Sequence, residues 1–372
     1  MSKIVGVTGA AGFIGRNVVA NLTRVDGYTV RECGRATFAD DASLDAFVAG
    51  CDVIVHLAGV NRGTDDEIAR VNPELAQKLV ASAERTGTVP HFLYSSSTQE
   101  TAENVYGRAK REAGEILATW AAAAGGSLTK LVIPNVYGAG AKPFYNSVVA
   151  TFCHQLATGE TPEIHVDKSV EFIYIKELVD AICGHVASPL PGCQTIGVEG
   201  SAELTVRELL ETLTSFRDSY FGDGVVPDLS DRTRQHLYAT FLSYVPTDDL
   251  RHCPPLHTDD RGSLVEVIKL SSGGQVFFST TKPGVIRGNH FHTRKIEWFC
   301  VLKGEAIIRL RPIGGETIRE FRVSGDKPQF VSIPVLHTHH IENVGDEELL
   351  TVFWCNEIFD ASDADTYFEK VA

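Results

Sequence analysis

Three side chains with metal-binding donor atoms lie close together between Gly284 and Gly304. His290 and His292 are two residues apart, and this spacing places both side chains on one face of a strand. Glu297 follows a short Thr-Arg-Lys-Ile segment, so its carboxylate is expected to return from the next strand. Imidazole with one carboxylate suits Zn²⁺, and Fe, Mn and Ni are alternatives.

One more ligand from a later strand would complete a four-ligand site. The segment Pro334–Asn343 contains three histidines. On a strand His337 and His339 share one face, and His340 lies on the opposite face. The competing interpretation is a barrel in which these histidines only pack or form hydrogen bonds.

A second set of reactive groups lies far upstream. Tyr106 and Lys110 are four residues apart, which places both on one face of a helix. A nearby ammonium favours the tyrosinate, so Tyr106 is expected to give or take a proton near neutral pH. A strand before them ends in three serines and a threonine, and a hydroxyl there is expected to hydrogen-bond the substrate oxygen.

A glycine-rich turn follows the first strand and opens a helix. Its glycines allow the backbone to approach a pyrophosphate, which the unpaired N–H groups and the positive end of the helix dipole favour. The residues expected to bind a dinucleotide at this turn are Gly9, Gly12, Phe13, Ile14 and Gly15.

Three further positions are expected to contact the same cofactor. Leu57 and Ala58 end the long strand that begins near residue 52. Arg35 follows the second strand, where an arginine pairs with a 2′-phosphate and an acidic residue binds a 2′-hydroxyl. Arg35, helped by Arg16, therefore predicts NADPH, although either arginine could instead be a solvated surface charge.

The elements around these groups divide into two patterns. Apolar runs at 3–8, 28–33, 52–58, 90–96 and 128–133 alternate with helix-like segments, which predicts a parallel sheet with helices on both faces. Residues 102–124 predict one long helix. Short strands separated by turns begin at residue 263 and predict an antiparallel barrel or sandwich. The expected domains are 1–245 and 263–372, joined by a linker at 246–262.

Composition limits the class of protein. A length of 372 residues suits two domains, and a net charge of −14 argues against general nucleic-acid binding. No run of about 18 apolar residues predicts a membrane span. The first residues lack a signal-peptide pattern, and the eight cysteines form no C-x-x-C pair, so a cytoplasmic location is expected.

The N-terminal motifs TGAAGFIG, HLAG, YGRAK and PNVYG resemble those of the nucleotide-sugar branch of the extended short-chain dehydrogenases/reductases. The resemblance implies that Ser97 acts with Tyr106 and Lys110 in catalysis, with Ser96 as the neighbouring alternative, and that Lys110 also contacts the cofactor. Val170 stands where this family often has an arginine for the substrate diphosphate. The candidates to replace that arginine are Lys142 and Lys168.

The C-terminal segments resemble the two cupin motifs. The first motif matches in full from Gly284 to Gly304. The second matches at Pro334, His339 and Asn343, whereas Leu336 replaces its glycine. This resemblance implies an all-β cupin barrel whose metal ligands are His290, His292, Glu297 and His339, with His337 as the alternative to His339.

The segments 56–62, 146–153, 288–290, 323–327 and 365–368 are more specific than either domain motif. Through them the whole chain from residue 3 to residue 368 resembles the CapF family of bacterial capsular-polysaccharide enzymes. The resemblance implies a zinc-containing homodimer with two activities. The cupin would epimerise C3 of a UDP-2-acetamido-2,6-dideoxy-4-keto-hexose through an enediolate. The reductase would then reduce C4 with NADPH to UDP-2-acetamido-2,6-dideoxy-β-L-talose, on the route to UDP-N-acetyl-L-fucosamine for capsule or O-antigen.

Two other functions remain open at this level. One is a monofunctional nucleotide-sugar reductase whose barrel is structural or serves dimerisation. The other is a sensor that binds NADP and a sugar without turnover, which would need neither Tyr106 nor Lys110. The base for epimerisation also stays open among His337, His340 and Lys303.

Overall fold

The computed structural model describes residues 2–372 and contains two compact units. The first unit comprises the chain up to Thr214 together with Gln235–Pro246. The second comprises Ser215–Arg234 and Thr247–Ala372. Among the described residues, no helix combines the length and apolar composition needed to cross a bilayer.

Nine strands belong to the first unit: β1 (Lys3–Thr8), β2 (Tyr28–Cys33), β3 (Val53–His56), β4 (His91–Ser97), β5 (Ser127–Ile133), β6 (Asn135–Tyr137), β7 (Ser169–Tyr174), β8 (Cys193–Gly197) and β9 (Ala202–Thr205). Six of them form a parallel sheet in the order β2-β1-β3-β4-β5-β8. The order reverses beside β1, which places a crevice at its carboxyl end. The remaining three form a small sheet in the order β6-β7-β9.

The helices are α1 (Phe13–Leu22), α2 (Arg35–Ala39), α3 (Asp41–Val48), α4 (Asp65–Thr86), α5 (Val105–Ala124), α6 (Val148–Ala157), α7 (Ile175–Ala187), α8 (Val206–Phe221) and α9 (Arg232–Leu242), with 3₁₀ turns at Thr98–Thr101 and Thr247–Leu250. Helices α3, α4 and α5 pack on one face of the main sheet, and α1 and α7 pack on the other. The predicted doubly covered parallel sheet is confirmed. Helix α5 begins later than residue 102 because the Asn104 side chain caps it, accepting from the Gly107 N–H at 2.7 Å.

The second unit is rich in β-structure. Its strands are β10 (Val225–Val226), β11 (Leu256–Asp259), β12 (Gly262–Leu270), β13 (Gly274–Thr281), β14 (Ile286–Phe291), β15 (Glu297–Lys303), β16 (Glu305–Pro312), β17 (Arg319–Ser324), β18 (Phe330–Ile333), β19 (His337–Asn343), β20 (Leu349–Cys355) and β21 (Tyr367–Phe368). One sheet has the order β10-β12-β13-β20-β15-β18 with β11 on β12, and the other has the order β17-β16-β19-β14-β21.

An apolar core gathers side chains from both of these sheets. Phe299 and Phe353 come from the first sheet, and Ile308 and Ile341 come from the second. All pairings except that of β10 with β12 are antiparallel. The expected all-β architecture of the C-terminal part is confirmed.

The segment between the two sequence patterns is more ordered than its composition indicates. Strand β11 lies inside 246–262 and pairs with β12, for example Leu256 with Val265. Residues 215–234 also join the second unit, because β10 pairs with the end of β12. Both pairings connect distant parts of the chain, which the Pro- and Asp-rich composition does not reveal. The domain boundaries at 245 and 263 stay a prediction.

Candidate functional site

The glycine-rich turn between β1 and α1 has no space for larger side chains. Gly9 has a φ of 67°, and a Cβ built there would lie 2.9 Å from the Ala58 nitrogen. A Cβ on Gly15 would lie 2.1 Å from the Gly9 carbonyl oxygen. No side chain caps α1, so its first N–H groups are available to an anion. The turn therefore fits a dinucleotide pyrophosphate, and it brings together the predicted residues Gly9, Gly12, Phe13, Ile14 and Gly15.

The Thr8 hydroxyl holds the loop after β3 beside this turn. Thr8 Oγ1 accepts hydrogen bonds from the N–H groups of Leu57 at 3.2 Å and Ala58 at 3.1 Å. It also lies 2.8 Å from Nδ1 of His56. Burial, together with the charge of Lys110, lowers the pKa of His56 to about 3, so this imidazole is neutral at pH 7. His56 therefore packs at the strand end and supports the predicted positions of Leu57 and Ala58.

The two arginines that predict NADPH differ in their surroundings. Arg35 is exposed as the first residue of α2, directly after β2. Since β2 is the neighbour of β1, this position adjoins the crevice at the carboxyl end of β1. The Arg16 guanidinium instead donates to the Gly140 carbonyl oxygen. Arg35 therefore lies where the motif predicts a partner for a 2′-phosphate, and Arg16 is positioned by its contact with Gly140.

Tyr106 and Lys110 lie in the first turns of α5. Lys110 Nζ is 6.0 Å from the centre of the Tyr106 ring and donates to the Ser95 carbonyl oxygen at 2.8 Å. Burial lowers the pKa of Lys110 to about 8. Burial, and to a smaller extent the neighbouring phenol of Tyr145, raises the pKa of Tyr106 to about 12. Burial therefore moves this pKa in the direction opposite to the one that a nearby ammonium would produce. Tyr106 is therefore a protonated group that can donate.

The three serines at the end of β4 have different partners. Ser95 Oγ donates to the His56 carbonyl oxygen at 3.1 Å, and Ser96 Oγ donates to the Glu100 carboxylate. Ser97 Oγ accepts from a backbone N–H at 3.2 Å and is half-buried. The hydroxyl hydrogens of Ser95 and Ser96 are thus engaged, whereas Ser97 retains a donor. This arrangement favours Ser97 over Ser96 as the substrate-binding hydroxyl.

A cavity of about 580 Å³ lies in the same unit, and its walls include Phe144, Phe152, Ile164 and His165. Its volume and its mixed apolar and polar walls suit a small organic ligand. Phe144 is followed directly by Tyr145, which is close enough to Tyr106 to contribute to its raised pKa. The cavity and the proposed proton donor therefore adjoin the same loop.

Four side chains of the barrel form a compact donor cluster. The donor atoms of His290, His292, Glu297 and His339 all lie within 4.8 Å of one another. Glu297 Oε2 is 3.2 Å from Nε2 of both His292 and His339. Ligands in a tetrahedral zinc site are about 3.3 Å apart. His339 Nε2 is buried and has no hydrogen bond of acceptable geometry, as a metal-binding atom requires. The cluster therefore fits a divalent metal ion.

Backbone carbonyls orient two of these imidazoles. His292 Nδ1 lies 2.6 Å from the Asp365 carbonyl oxygen, and His339 Nδ1 lies 3.1 Å from that of His337. Because a carbonyl oxygen only accepts, each Nδ1 carries a hydrogen, and in the neutral imidazole each Nε2 therefore presents a lone pair to the cluster. Burial would lower the pKa of His292, but hydrogen bonding to Glu297 and the charge of Glu297 raise it, so binding of a cation at this Nε2 would displace a proton. Burial lowers the pKa of His290 to about 4, which favours the neutral, ligating form.

The Glu297 carboxylate is held in its charged form. Burial would raise its pKa, but hydrogen bonding and positive charge from His292 and His339, when these imidazoles are protonated, outweigh burial and lower it below the usual range. A bound cation would supply the same positive charge to the carboxylate when the imidazoles are neutral. An ionised carboxylate among neutral imidazoles is the charge state that binds a metal cation.

Asp365 organises the turn that carries the ligands, and spacing arguments did not identify it. Its carboxylate accepts from the N–H groups of Thr293, Arg294 and Lys295, at 2.9 to 3.2 Å, and from the Thr293 hydroxyl. Burial would raise the pKa of Asp365, yet these hydrogen bonds hold it well below the usual range. The turn between His292 and Glu297 is therefore tied to a residue more than 60 positions later.

The three candidate bases for epimerisation have separate locations. Lys303 lies six residues beyond Glu297 on β15, which is about 20 Å along a strand. His340 points away from the cluster and contacts Arg309. His337 is half-buried on the same face of β19 as His339, although it is not part of the donor cluster.

Separate family models match the N-terminal and the C-terminal parts of the chain. The NAD dependent epimerase/dehydratase family model matches residues 5–190, and the polysaccharide biosynthesis C-terminal domain model matches 257–367. The Pseudomonas aeruginosa protein named UDP-2-acetamido-2,6-beta-L-arabino-hexul-4-ose reductase is 36% identical over 363 residues, which is 97% of each chain. The crystal structure of CapF from Staphylococcus aureus has a TM-score of 0.89 and 36% identity, covering 99% of this chain and 100% of that one. The chain belongs to the CapF family.

Family membership confirms the predicted fold and the broad class of enzyme. The chain is a member of a reductase/epimerase enzyme family that uses a nicotinamide cofactor and acts in polysaccharide biosynthesis. A UDP-glucose 4-epimerase from Thermotoga maritima, 20% identical with a TM-score of 0.55, covers 65% of this chain and 98% of its own. That likeness shows only the shared fold.

Replacing His339 should separate the two candidates for the fourth ligand. We expect His339→Gln to lower the divalent-metal content of the purified protein and to weaken its affinity for added zinc at least about tenfold, since a direct donor is lost. His337→Gln is the matched control and should retain zinc, as measured by elemental analysis and competition with a chelator. Zinc loss in His337→Gln alone would reverse the assignment.

Replacing Asp365 should loosen the same site without removing a ligand. Asp365→Asn keeps the backbone carbonyl but weakens the hydrogen bonds that hold the 293–295 turn, so zinc affinity should fall about tenfold. Asp363→Asn, which removes an exposed carboxylate paired with Arg294, should leave it unchanged. Zinc titration with circular dichroism as a folding check measures both, and equal affinities would contradict the positioning role.

Proposed function

We propose that this chain performs two successive reactions on one UDP-linked keto-sugar. The barrel would epimerise C3 of a UDP-2-acetamido-2,6-dideoxy-4-keto-hexose. The first unit would then reduce C4 with NADPH to UDP-2-acetamido-2,6-dideoxy-β-L-talose, on the route to UDP-N-acetyl-L-fucosamine. The main support is that one chain carries both the Tyr106–Lys110 pair and the His–Glu cluster.

The reduction depends on a proton donor beside the carbonyl. When bound, NADPH supplies the hydride. Tyr106, protonated because burial raises its pKa to about 12, would donate a proton to the C4 oxygen, and Ser97 would hydrogen-bond the same oxygen. Lys110, fixed by the Ser95 carbonyl, would restore the tyrosine through proton exchange and hold the cofactor. Arg35 would provide the preference for the 2′-phosphate.

The epimerisation depends on acidifying the C–H next to the ketone. A divalent metal, which we propose to be zinc, polarises a carbonyl oxygen when bound. The four residues His290, His292, Glu297 and His339 would hold it. His337 is the proposed base, because it alone of the three candidates shares the face of β19 with a ligand. It would remove the C3 proton, and reprotonation from the opposite side would invert the centre.

Substrate binding and assembly complete the proposal. The cavity lined by Phe144 and Phe152 would accept the nucleoside part of the UDP-sugar. We also propose a cytoplasmic homodimer, in which a partner covers aromatic side chains of the barrel such as Trp298 and Phe330, which are 45% and 63% exposed.

Two alternative functions predict different experimental outcomes. A structural barrel would leave the chain a reductase without epimerisation, and a sensor would bind both ligands without turnover. The buried His339 Nε2, which has no hydrogen-bond partner, argues against a purely structural barrel. The protonated Tyr106 beside the buried Lys110 argues against a sensor without turnover.

Two substitutions should separate the two reactions. Tyr106→Phe removes the proton donor, so NADPH oxidation with the UDP-4-keto-sugar should fall by about 10² or more, while exchange of the C3 hydrogen with deuterated solvent continues. His290→Ala should abolish that exchange, and His257→Ala, at an exposed histidine of the same unit, should not.

Product analysis by NMR decides between the alternatives. A folded His290→Ala protein that gives an unchanged product configuration at C3 eliminates the epimerase proposal. A wild-type protein that oxidises no NADPH with any UDP-4-keto-sugar supports the sensor.

Replacing Arg35 should change cofactor preference. Arg35→Ala should weaken NADPH binding about tenfold or more and leave NADH binding nearly unchanged, because only NADPH carries the 2′-phosphate. Fluorescence titration with both dinucleotides measures the ratio. Equal weakening of the two would contradict the role of Arg35.

A further inference from the structure

Two loops of the first unit meet beside the cavity. One follows β3 and contains Arg62, and the other precedes α6 and contains Phe144. Arg62 Nη1 donates to the Phe144 carbonyl oxygen, and the Asn146 side chain donates to the Asn61 carbonyl oxygen at 3.5 Å. These contacts join segments that are more than 80 residues apart in the chain.

The backbone at this junction is strained. Phe144 has a φ of 56°, a left-handed conformation that an aromatic residue rarely adopts. Its N–H donates to the Thr151 hydroxyl at 3.0 Å, and its carbonyl accepts from Arg62, so both sides hold it in place. Strained residues held by their surroundings are concentrated at ligand sites, and Phe144 is itself a wall of the cavity.

The junction also gathers two cations around one ring. The Arg62 guanidinium carbon and Lys142 Nζ each lie 5.7 Å from the centre of the Tyr145 ring. Within residues 2–372, neither cation has a carboxylate within ion-pair distance, unlike Arg70 and Lys176 of the same unit. Two cations around one ring without a nearby carboxylate favour the binding of an anion there.

These two cations lie where the diphosphate of a nucleotide sugar is expected, between the site for the nucleoside and the site for the reacting sugar. Phe144, which Arg62 contacts, borders the cavity, and Tyr145, which both cations contact, is close enough to Tyr106 to raise its pKa. A protein with a net charge of −14 needs local positive charge to hold a nucleoside diphosphate. The guanidinium has five donors, only one of which is used by Phe144, so it can form paired hydrogen bonds to phosphate oxygens.

We propose that Arg62 and Lys142 bind the diphosphate of the nucleotide-linked substrate, with the nucleoside in the cavity and the sugar at Tyr106. This assignment rests on the proposed function above. It gives the diphosphate a cationic partner although Val170 is uncharged. It selects Lys142 over Lys168 and adds Arg62, which the sequence motifs did not suggest.

Calorimetric titration of the full-length protein with UDP, and NMR titration with uridine, test the assignment. Arg62→Gln and Lys142→Gln should each weaken UDP binding about tenfold, since each loses a charge-assisted contact. Uridine and NADPH affinities should stay unchanged in both. Arg24→Gln, at an exposed arginine on the same unit, is the matched control and should bind all three as the wild type does.

Each contrary result has a distinct meaning. Wild-type UDP affinity in the Arg62→Gln/Lys142→Gln double variant overturns the assignment and leaves the proposed function intact. So does a loss that appears only in Lys168→Gln, or a loss of NADPH affinity in place of UDP affinity. A wild-type protein that binds no UDP overturns both the assignment and the UDP-sugar substrate. Unchanged thermal unfolding of each variant shows that the effects are not due to misfolding.

Discussion

A charged side chain that is buried must find partners inside the protein, and this constraint organises both candidate sites. Lys110 is 6% exposed, and its ammonium is satisfied by the Ser95 carbonyl. The same residue's own carbonyl accepts from the Tyr94 hydroxyl at 3.0 Å. Burying Lys110 therefore joins the start of α5 to the end of β4. That junction is where the proton donor Tyr106 and the hydroxyl of Ser97 are needed.

The barrel meets the same constraint with negative charge. Glu297 and Asp365 are both buried carboxylates, and each lies among polar groups that stabilise its charge. Imidazoles surround Glu297, whereas backbone N–H groups of the 293–295 turn surround Asp365. The imidazoles around Glu297 form a candidate cation site. The hydrogen bonds to Asp365 hold the turn between His292 and Glu297 in place. A buried carboxylate is thus a candidate metal ligand at Glu297 and a structural hydrogen-bond acceptor at Asp365, because the neighbouring groups differ.

Much of the fold was predictable because its signals are local. The alternation of apolar runs and helical segments identified the parallel sheet, and the glycines at 9, 12 and 15 identified the dinucleotide turn. The start of α5 was placed too early because a helical composition does not show that Asn104 caps it. The tyrosine was expected to be acidified by Lys110, but burial, which spacing does not report, decides the direction of its pKa.

The sequence by itself determined which reactive groups can share a face, since the periods of strands and helices set Tyr106 with Lys110 and His290 with His292. Only the tertiary structure decided which partners join them from elsewhere. It brought His339 rather than His337 to the donor cluster. It also placed the Asp365 carboxylate where it accepts hydrogen bonds from the 293–295 turn, and it placed Arg62 beside Phe144. Such choices depend on long-range packing and on which buried polar groups still need partners, and neither is encoded in the spacing of a few residues.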